Sequence, residues 1–120
     1  MDPIGFGFEN FDGIGQYRTH EADVPVETWG EVLVSRDLNG RFEGAVDLGA
    51  KLAQSRQVHE CVVTQWYRFA FGRVESEIDD CSLLSATERF LASGMDVREL
   101  LVALTQTDAF LYLPATEGMP

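Results

Sequence analysis

Few side chains in this sequence have a type and spacing that could do chemistry. Glu9 and Asp12 flank Phe11 and are the nearest approach to a carboxylate pair for general acid–base hydrolysis. His20 stands beside Glu21 in a polar turn and reads as a solvated residue. His59 lies beside Glu60 near the start of an apolar stretch, and would need a partner supplied by the fold to act as base or ligand. Glu75, Glu77, Asp79 and Asp80 form the densest acidic cluster, but their spacing is wrong for a calcium loop and the turn glycine is missing. Helix capping by Asp79 or Asp80 explains them better. Cys61 and Cys81 are too far apart for a CxxC zinc pair or a CxxCH haem-attachment motif. There is no HExxH and no GxSxG, and GFG and GIG lack the remaining residues of a phosphate loop. Trp29 and Trp66 could stack on a sugar, although Trp66 reads as core. No catalytic residue, metal ligand or cofactor site is assigned within the chain, and the reading is against enzymatic activity for this domain alone.

The elements that must hold these residues are organised around residues 57–73, QVHECVVTQWYRFAFGR. Val58, Cys61, Val62, Trp66, Phe69 and Ala70 recur at helical spacing, and Val63, Tyr67 and Phe71 widen the face. A helix apolar over most of its circumference is expected at the centre of the core, capped by Ser55 and ended by a left-handed Gly72. Residues 44–54 predict a helix presenting Ala45, Leu48, Gly49 and Leu52, with Ala45 and Gly49 small enough for close packing on the central helix. Asp79 or Asp80 opens a third helix with Leu83, Leu84, Phe90 and Leu91 as its apolar set, closed by Gly94. Asp96 and Glu99 resemble a capping box for a helix over 97–106 whose buried face is Leu100, Leu101 and Leu104. Phe110, Leu111, Tyr112 and Leu113 are expected to dock on the core.

Upstream, Asp2-Pro3 suits the start of a short helix, and 16–19 can form a strand. Residues 24–35 are rich in β-branched side chains, with Pro25 confining the first part to an edge, and Asn39-Gly40 is a hairpin signal. Two or three short antiparallel strands are expected between 16 and 42. The expected fold is mainly α (α+β): a single domain over 1–113 with about four helices and a short antiparallel β ribbon. Residues 1–42 carry the ribbon, 43–113 the helical core, and 114–120 a frayed tail.

The totals exclude several partners. Twenty acids against nine Lys and Arg give a formal charge of −11, which argues against nucleic acid and anionic membrane surfaces. A scattered acidic surface that aids solubility is the plain reading, and a cationic partner or basic neighbouring domain the sharper one. No apolar run reaches the length of a membrane span, so no membrane insertion is expected. The first residues, MDPIGFGFENF, lack the basic region of a signal peptide, so an exported protein would contain this chain as one piece. Two cysteines fit either a reduced pair or a disulfide.

Residues 2–18 (DPIGFGFENFDGIGQYR), 67–73 (YRFAFGR) and 98–110 (RELLVALTQTDAF) carry a resemblance. They are similar to the C-terminal domain of unknown function of secreted, cytochrome-like proteins of planctomycetes and myxobacteria. In that family a CxxCH haem-attachment motif typically precedes the Asp-Pro-Ile/Leu-Gly segment, whereas this chain has no CxxCH. The resemblance implies haem c in the full-length protein, upstream cytochrome-like domains as partners, and an extracytoplasmic location, periplasmic or secreted. It further implies that Pro3, Ile4, Phe6 and Phe8 pack against a haem edge. The oxidising compartment so implied favours a disulfide between Cys61, in the first half of the central helix, and Cys81, at the start of the next. The leading expectation is therefore a non-catalytic accessory domain beside an upstream haem domain, any redox chemistry belonging to the haem iron. The alternative is an independent protein- or polysaccharide-binding module using Trp29, with hydrolysis by Glu9 and Asp12 ranked last.

Overall fold

The computed structural model describes residues 3–112. Two antiparallel ribbons and a set of helices make the fold mainly α with a small β component, as expected. The chain divides into two compact units, residues 1–58 and 59–120.

In the first unit a 3-10 turn, Gly5–Phe8, leads to a two-strand ribbon, β1 (His20–Glu21) and β2 (Val24–Pro25). Ala22 and Asp23 join these strands, both in the left-handed region at φ 46° and 65°, the geometry of a tight hairpin turn. Asp23 is a residue type that such positions favour, whereas Ala22 is not. A second ribbon pairs β3 (Trp29–Val32) with β4 (Gly40–Glu43). Asn39-Gly40 is not a two-residue turn here. Asn39 instead staples the longer connection by accepting from the Ser35 amide and donating to its carbonyl, each at 2.7 Å. Phe42 is the core of this unit, 1% exposed. Its ring lies against Gly7 and Gly30, where an added Cβ would overlap it. Glycine at these two positions lets the turn and β3 close over one aromatic ring.

Helix α1 (Gly44–Leu52) follows, burying Leu48 and contacting the 3-10 turn and β4. Gly49, expected to be a close-packing position, is exposed with nothing near its missing Cβ. The single buried Leu48 sets the packed face of α1, so Gly49 falls outside it. Helix α2 (Arg56–Phe71) starts in this unit under a double cap. Ser55 Oγ accepts from the Val58 amide at 3.2 Å and donates to Asp37 Oδ1 at 2.7 Å, while Asp37 Oδ2 accepts from the Gln57 amide at 3.1 Å. The Ser55 hydroxyl, then the Gln57 amide, hold the Asp37 carboxyl below its usual range.

In the second unit α2 continues, followed by a 3-10 turn (Glu77–Asp79), α3 (Asp80–Ala92), α4 (Val97–Thr105) and α5 (Asp108–Leu111). Val63, Tyr67, Ala86, Phe90, Leu100, Ala103 and Leu104 form the buried cluster. Gly72, at φ 64°, ends α2 by donating its amide to the Arg68 carbonyl at 2.9 Å. Gly94 ends α3 in a Schellman motif: its amide bonds Leu91 O at 3.1 Å and the Met95 amide bonds Phe90 O at 2.9 Å. Asp96 caps α4 by accepting from the Arg98 amide at 2.8 Å. The Asp96 amide itself donates to Ser93 Oγ, taking the role assigned to Glu99.

Several expectations about faces are corrected. Helix α2 is not wrapped all round: Val63 and Tyr67 are buried, Trp66 is half-buried, and Phe69 is 81% exposed. The buried stripe follows i, i+4, and side chains more than about a quarter turn from it reach solvent. On α3 the inward positions are Ser82, Ala86, Thr87 and Phe90, while Leu84 is exposed. Thr87 can face inward because its hydroxyl donates to Leu83 O at 2.7 Å. Ala103 replaces Leu101 on the buried face of α4. Phe110, Leu111 and Tyr112 are exposed rather than docked, and Leu113 lies outside the described residues.

The disulfide is corrected as well. Cys61 and Cys81 are free, exposed thiols. Cys61 lies two residues before Val63, on the side of α2 away from the Val63–Tyr67 stripe. Cys81 precedes buried Ser82 by one residue, a rotation of about 100° off the packed face of α3. Burying the stripe of each helix turns both thiols outward.

Candidate functional site

A buried ionic cluster is built from the YRFAFGR stretch and the turn after it. The left-handed Gly72 reverses the chain so that Arg73 points back along the end of α2. Its guanidinium grips the Asp79 carboxylate with two prongs, Nη1 to Oδ2 at 2.6 Å and Nη2 to Oδ1 at 2.7 Å. Nη2 also donates to the Tyr67 hydroxyl at 2.7 Å, and the guanidinium carbon lies 5.5 Å from the Tyr67 ring centroid. Asp79, 2% exposed, further accepts from the amide and hydroxyl of Ser76 at 2.9 and 3.0 Å. Asp79 stands at the N-cap of α3 but makes no side-chain cap bond to that helix; its carboxylate instead closes the capping box of the preceding 3-10 turn with Ser76. The Arg73 guanidinium, followed by the Tyr67 and Ser76 hydrogen bonds, holds the Asp79 carboxyl well below the usual carboxylate range against the cost of burial. Burial first, then the Asp79 carboxylate, pushes the Tyr67 hydroxyl up to about 12.

Beside it Arg68 makes a second two-pronged pair with Glu75, at 2.7 and 2.6 Å, which draws the Glu75 carboxyl down to about 2. Tyr67 stacks on Phe71 at 4.2 Å between centroids, and Phe71 meets the edge of Phe110 at 6.0 Å. A cleft of about 310 Å³ opens over this cluster, lined by Arg73, Ser76, Ile78, Asp79, Asp108 and Tyr112 among others. Within it the buried carboxylate is already paired: Asp79 accepts from Arg73 and Ser76. Among the described residues no buried side-chain polar atom lacks a hydrogen-bond partner. The cluster therefore fixes the α2–α3 connection.

The other sequence candidates are spread across the fold. Glu9 pairs with Arg18 at 3.3 Å, and Asp12 Oδ1 accepts from the Ile14 and Gln16 amides at 3.0 and 2.8 Å. One carboxylate thus holds an arginine and the other a turn. His20 is exposed, with Nδ1 3.1 Å from Thr19 Oγ1. His59 is half-buried near the start of α2. Trp29 has the Arg41 guanidinium over its ring at 4.5 Å and donates Nε1 to Glu27 at 3.3 Å. Trp66 meets Phe69 edge-on at 5.8 Å. Among the described residues no group of three His, Cys, Asp or Glu side chains could hold a metal ion.

The N-terminal turn offers a different kind of site. Ile4, Phe6, Phe8 and Phe11 are 41–45% exposed, and Tyr17, edge-on to Phe11 at 5.7 Å, is 63% exposed. The backbone under this row is fixed. Pro3 O accepts from the Glu31 amide at 3.1 Å, the Gly7 amide donates to Ile4 O at 3.1 Å, and Phe11 bridges to Tyr17. Alternation of glycine with aromatics explains the exposure, because Gly7 takes the buried slot over Phe42 and its neighbours are turned out. The sequence drew attention to this row; its exposure required the burial of Phe42.

Fold and surface define a small, mainly helical α+β domain whose buried ionic groups are paired internally. The chain matches, over residues 39–110, a family described as protein of unknown function DUF1585, and it belongs to that family. The match includes the 67–73 and 98–110 stretches, and it starts after 2–18. No curated protein and no solved structure matches the chain. No helix among the described residues is long and apolar enough to cross a membrane.

Proposed function

We propose that this domain is a non-catalytic accessory module of an exported cytochrome c-like protein, packing beside a haem domain attached upstream. The observation that carries the reading is the row Ile4, Phe6, Phe8 and Phe11, four large apolar side chains held out on a short, braced segment. Several large apolar side chains held exposed on one short segment favour a contact site. Pro3, Ile4, Phe6 and Phe8 would meet the haem edge, and the iron would supply any redox chemistry. The residue resemblance of 2–18 supplies the haem context and the extracytoplasmic location. The alternative, an independent protein- or polysaccharide-binding module, has less support, since Arg41 already lies over one face of the Trp29 ring.

The test is the gene sequence preceding Asp2 together with a haem stain. The longest gene product, expressed with a haem-maturation system, should stain after denaturing electrophoresis. The 120-residue chain alone should not, because neither cysteine precedes a histidine. A gene without CxxCH upstream, or a stained band at the size of this chain, overturns the reading.

A further inference from the structure

Asn39-Gly40 is a chemically reactive pair as well as a structural one. When glycine follows asparagine, the glycine amide nitrogen can attack the asparagine Cγ, because no side chain stands in its path. The new N–C bond closes a succinimide ring and ammonia leaves. Water then opens the ring to aspartate or isoaspartate. The balance is one carboxamide and one water giving one carboxylic acid and one ammonia, with no oxidant or cofactor. The other asparagine of the chain, Asn10, is followed by the bulky Phe11.

In the folded chain both reacting groups are held. Asn39 is exposed, so water reaches it. Its carboxamide is bonded at both ends to one residue: Oδ1 accepts from the Ser35 amide and Nδ2 donates to the Ser35 carbonyl, each at 2.7 Å. The Gly40 nitrogen is held by the ribbon. The Glu31 amide donates to Pro3 O, so it is turned away from β4, and the β3 residues that bond β4 are Gly30 and Val32. Val32 pairs with Gly40. The Gly44 amide, donating to Thr28 O at 2.8 Å, continues the same alternation. Attack therefore requires Asn39 to leave Ser35 and the start of β4 to open.

We propose that Asn39 is a site of spontaneous conversion to aspartate or isoaspartate, which the folded connection suppresses and whose product frees residues 35–38 from the start of α2. An aspartate at this position keeps an acceptor for the Ser35 amide but sets a carboxylate against the Ser35 carbonyl, where the Nδ2 donor stood. Isoaspartate also lengthens the backbone by a carbon. Ser35 is the shared piece: its Oγ accepts from the Asp37 and Leu38 amides at 3.3 and 3.1 Å and donates to Gln57 Oε1 at 3.0 Å. The new charge also lies two residues from Asp37, whose carboxylate accepts from the Gln57 amide and caps α2.

Peptide mapping by mass spectrometry follows the amide-to-acid conversion at Asn39 and Asn10 in the 120-residue chain, folded and in urea, at mildly alkaline pH. In urea Asn39 should convert faster than Asn10. It should also convert at least about tenfold faster in urea than in the folded chain, the ratio set by opening of the connection. Equal rates at the two asparagines in urea overturn the site, and equal rates at Asn39 folded and unfolded overturn its suppression. The effect of the product is read by amide hydrogen exchange in Asn39→Asp. The Ser35, Asp37 and Gln57 amides should exchange at least about threefold faster than in wild type, the loss of one hydrogen bond, while the Gly72 and Gly94 amides of the other unit should not change. Wild-type exchange at Ser35 and Gln57 in this variant overturns the release.

Discussion

Replacing Arg73 by Met tests the account of the α2–α3 connection. The methionine keeps an unbranched stem over Tyr67 and removes the guanidinium. Asp79, 2% exposed, then loses the donors at 2.6 and 2.7 Å and keeps the two Ser76 contacts, both on Oδ2, and the Tyr67 hydroxyl. Breaking a buried pair in this one-sided way costs about 3–5 kcal/mol when both partners are dry. The Arg73 side chain is 40% exposed, so water already competes for it and the loss should be about 2–4 kcal/mol. Arg73→Lys keeps the charge without the fork and should fall between, at about 1–2 kcal/mol. Urea midpoints by far-ultraviolet circular dichroism give the values at pH 7. The pH dependence is the sharper check. The folded-state value of Asp79 is depressed, so the pair's contribution is fully present above the ordinary carboxylate range and is lost as pH falls through the folded value. The gap between wild type and Arg73→Met should hold from pH 7 to 5 and narrow below about pH 4. A loss under about 1 kcal/mol, below the range expected for an unsatisfied buried charge, would refute the reasoning. So would a gap unchanged down to pH 2.5.

Both thiols should react with a thiol reagent in the folded, unreduced protein, since Cys61 and Cys81 are free and exposed; one intact disulfide by mass would reverse that correction. In the first unit, Phe42→Ala should cost about 3–5 kcal/mol as the loss of a buried aromatic. Gly30→Ala, whose Cβ would stand 2.5 Å from Pro3 O and overlap the Phe42 ring, should cost about 1–3 kcal/mol. A neutral Gly30→Ala, measured by thermal denaturation, would show that the ring has room to move.

The residues by themselves determined what depends on local chemistry. Ser55, Gly72, Gly94 and Asp96 mark helix ends because caps and left-handed residues act within one turn of chain, and each is found in that role. The mainly helical character followed from apolar spacing over 57–73 and 97–106. Which side of each helix would be dry did not follow. Leu84 and Phe69 are as apolar as Phe90 and Tyr67, and their exposure is set by which stripe meets a neighbouring helix. The thiols went outward for that reason, although their positions along the chain left a disulfide open. The Arg73–Asp79–Tyr67 cluster was equally hidden. Tyr67 was legible as part of an apolar face and Asp79 as part of an acidic run, but Arg73 had no assigned role, and their union depends on Gly72 turning the chain back on itself. The same holds for the N-terminal row: alternation of glycine and aromatics was plain in sequence, and only the burial of Phe42 under Gly7 and Gly30 decided that Phe6 and Phe8 face outward.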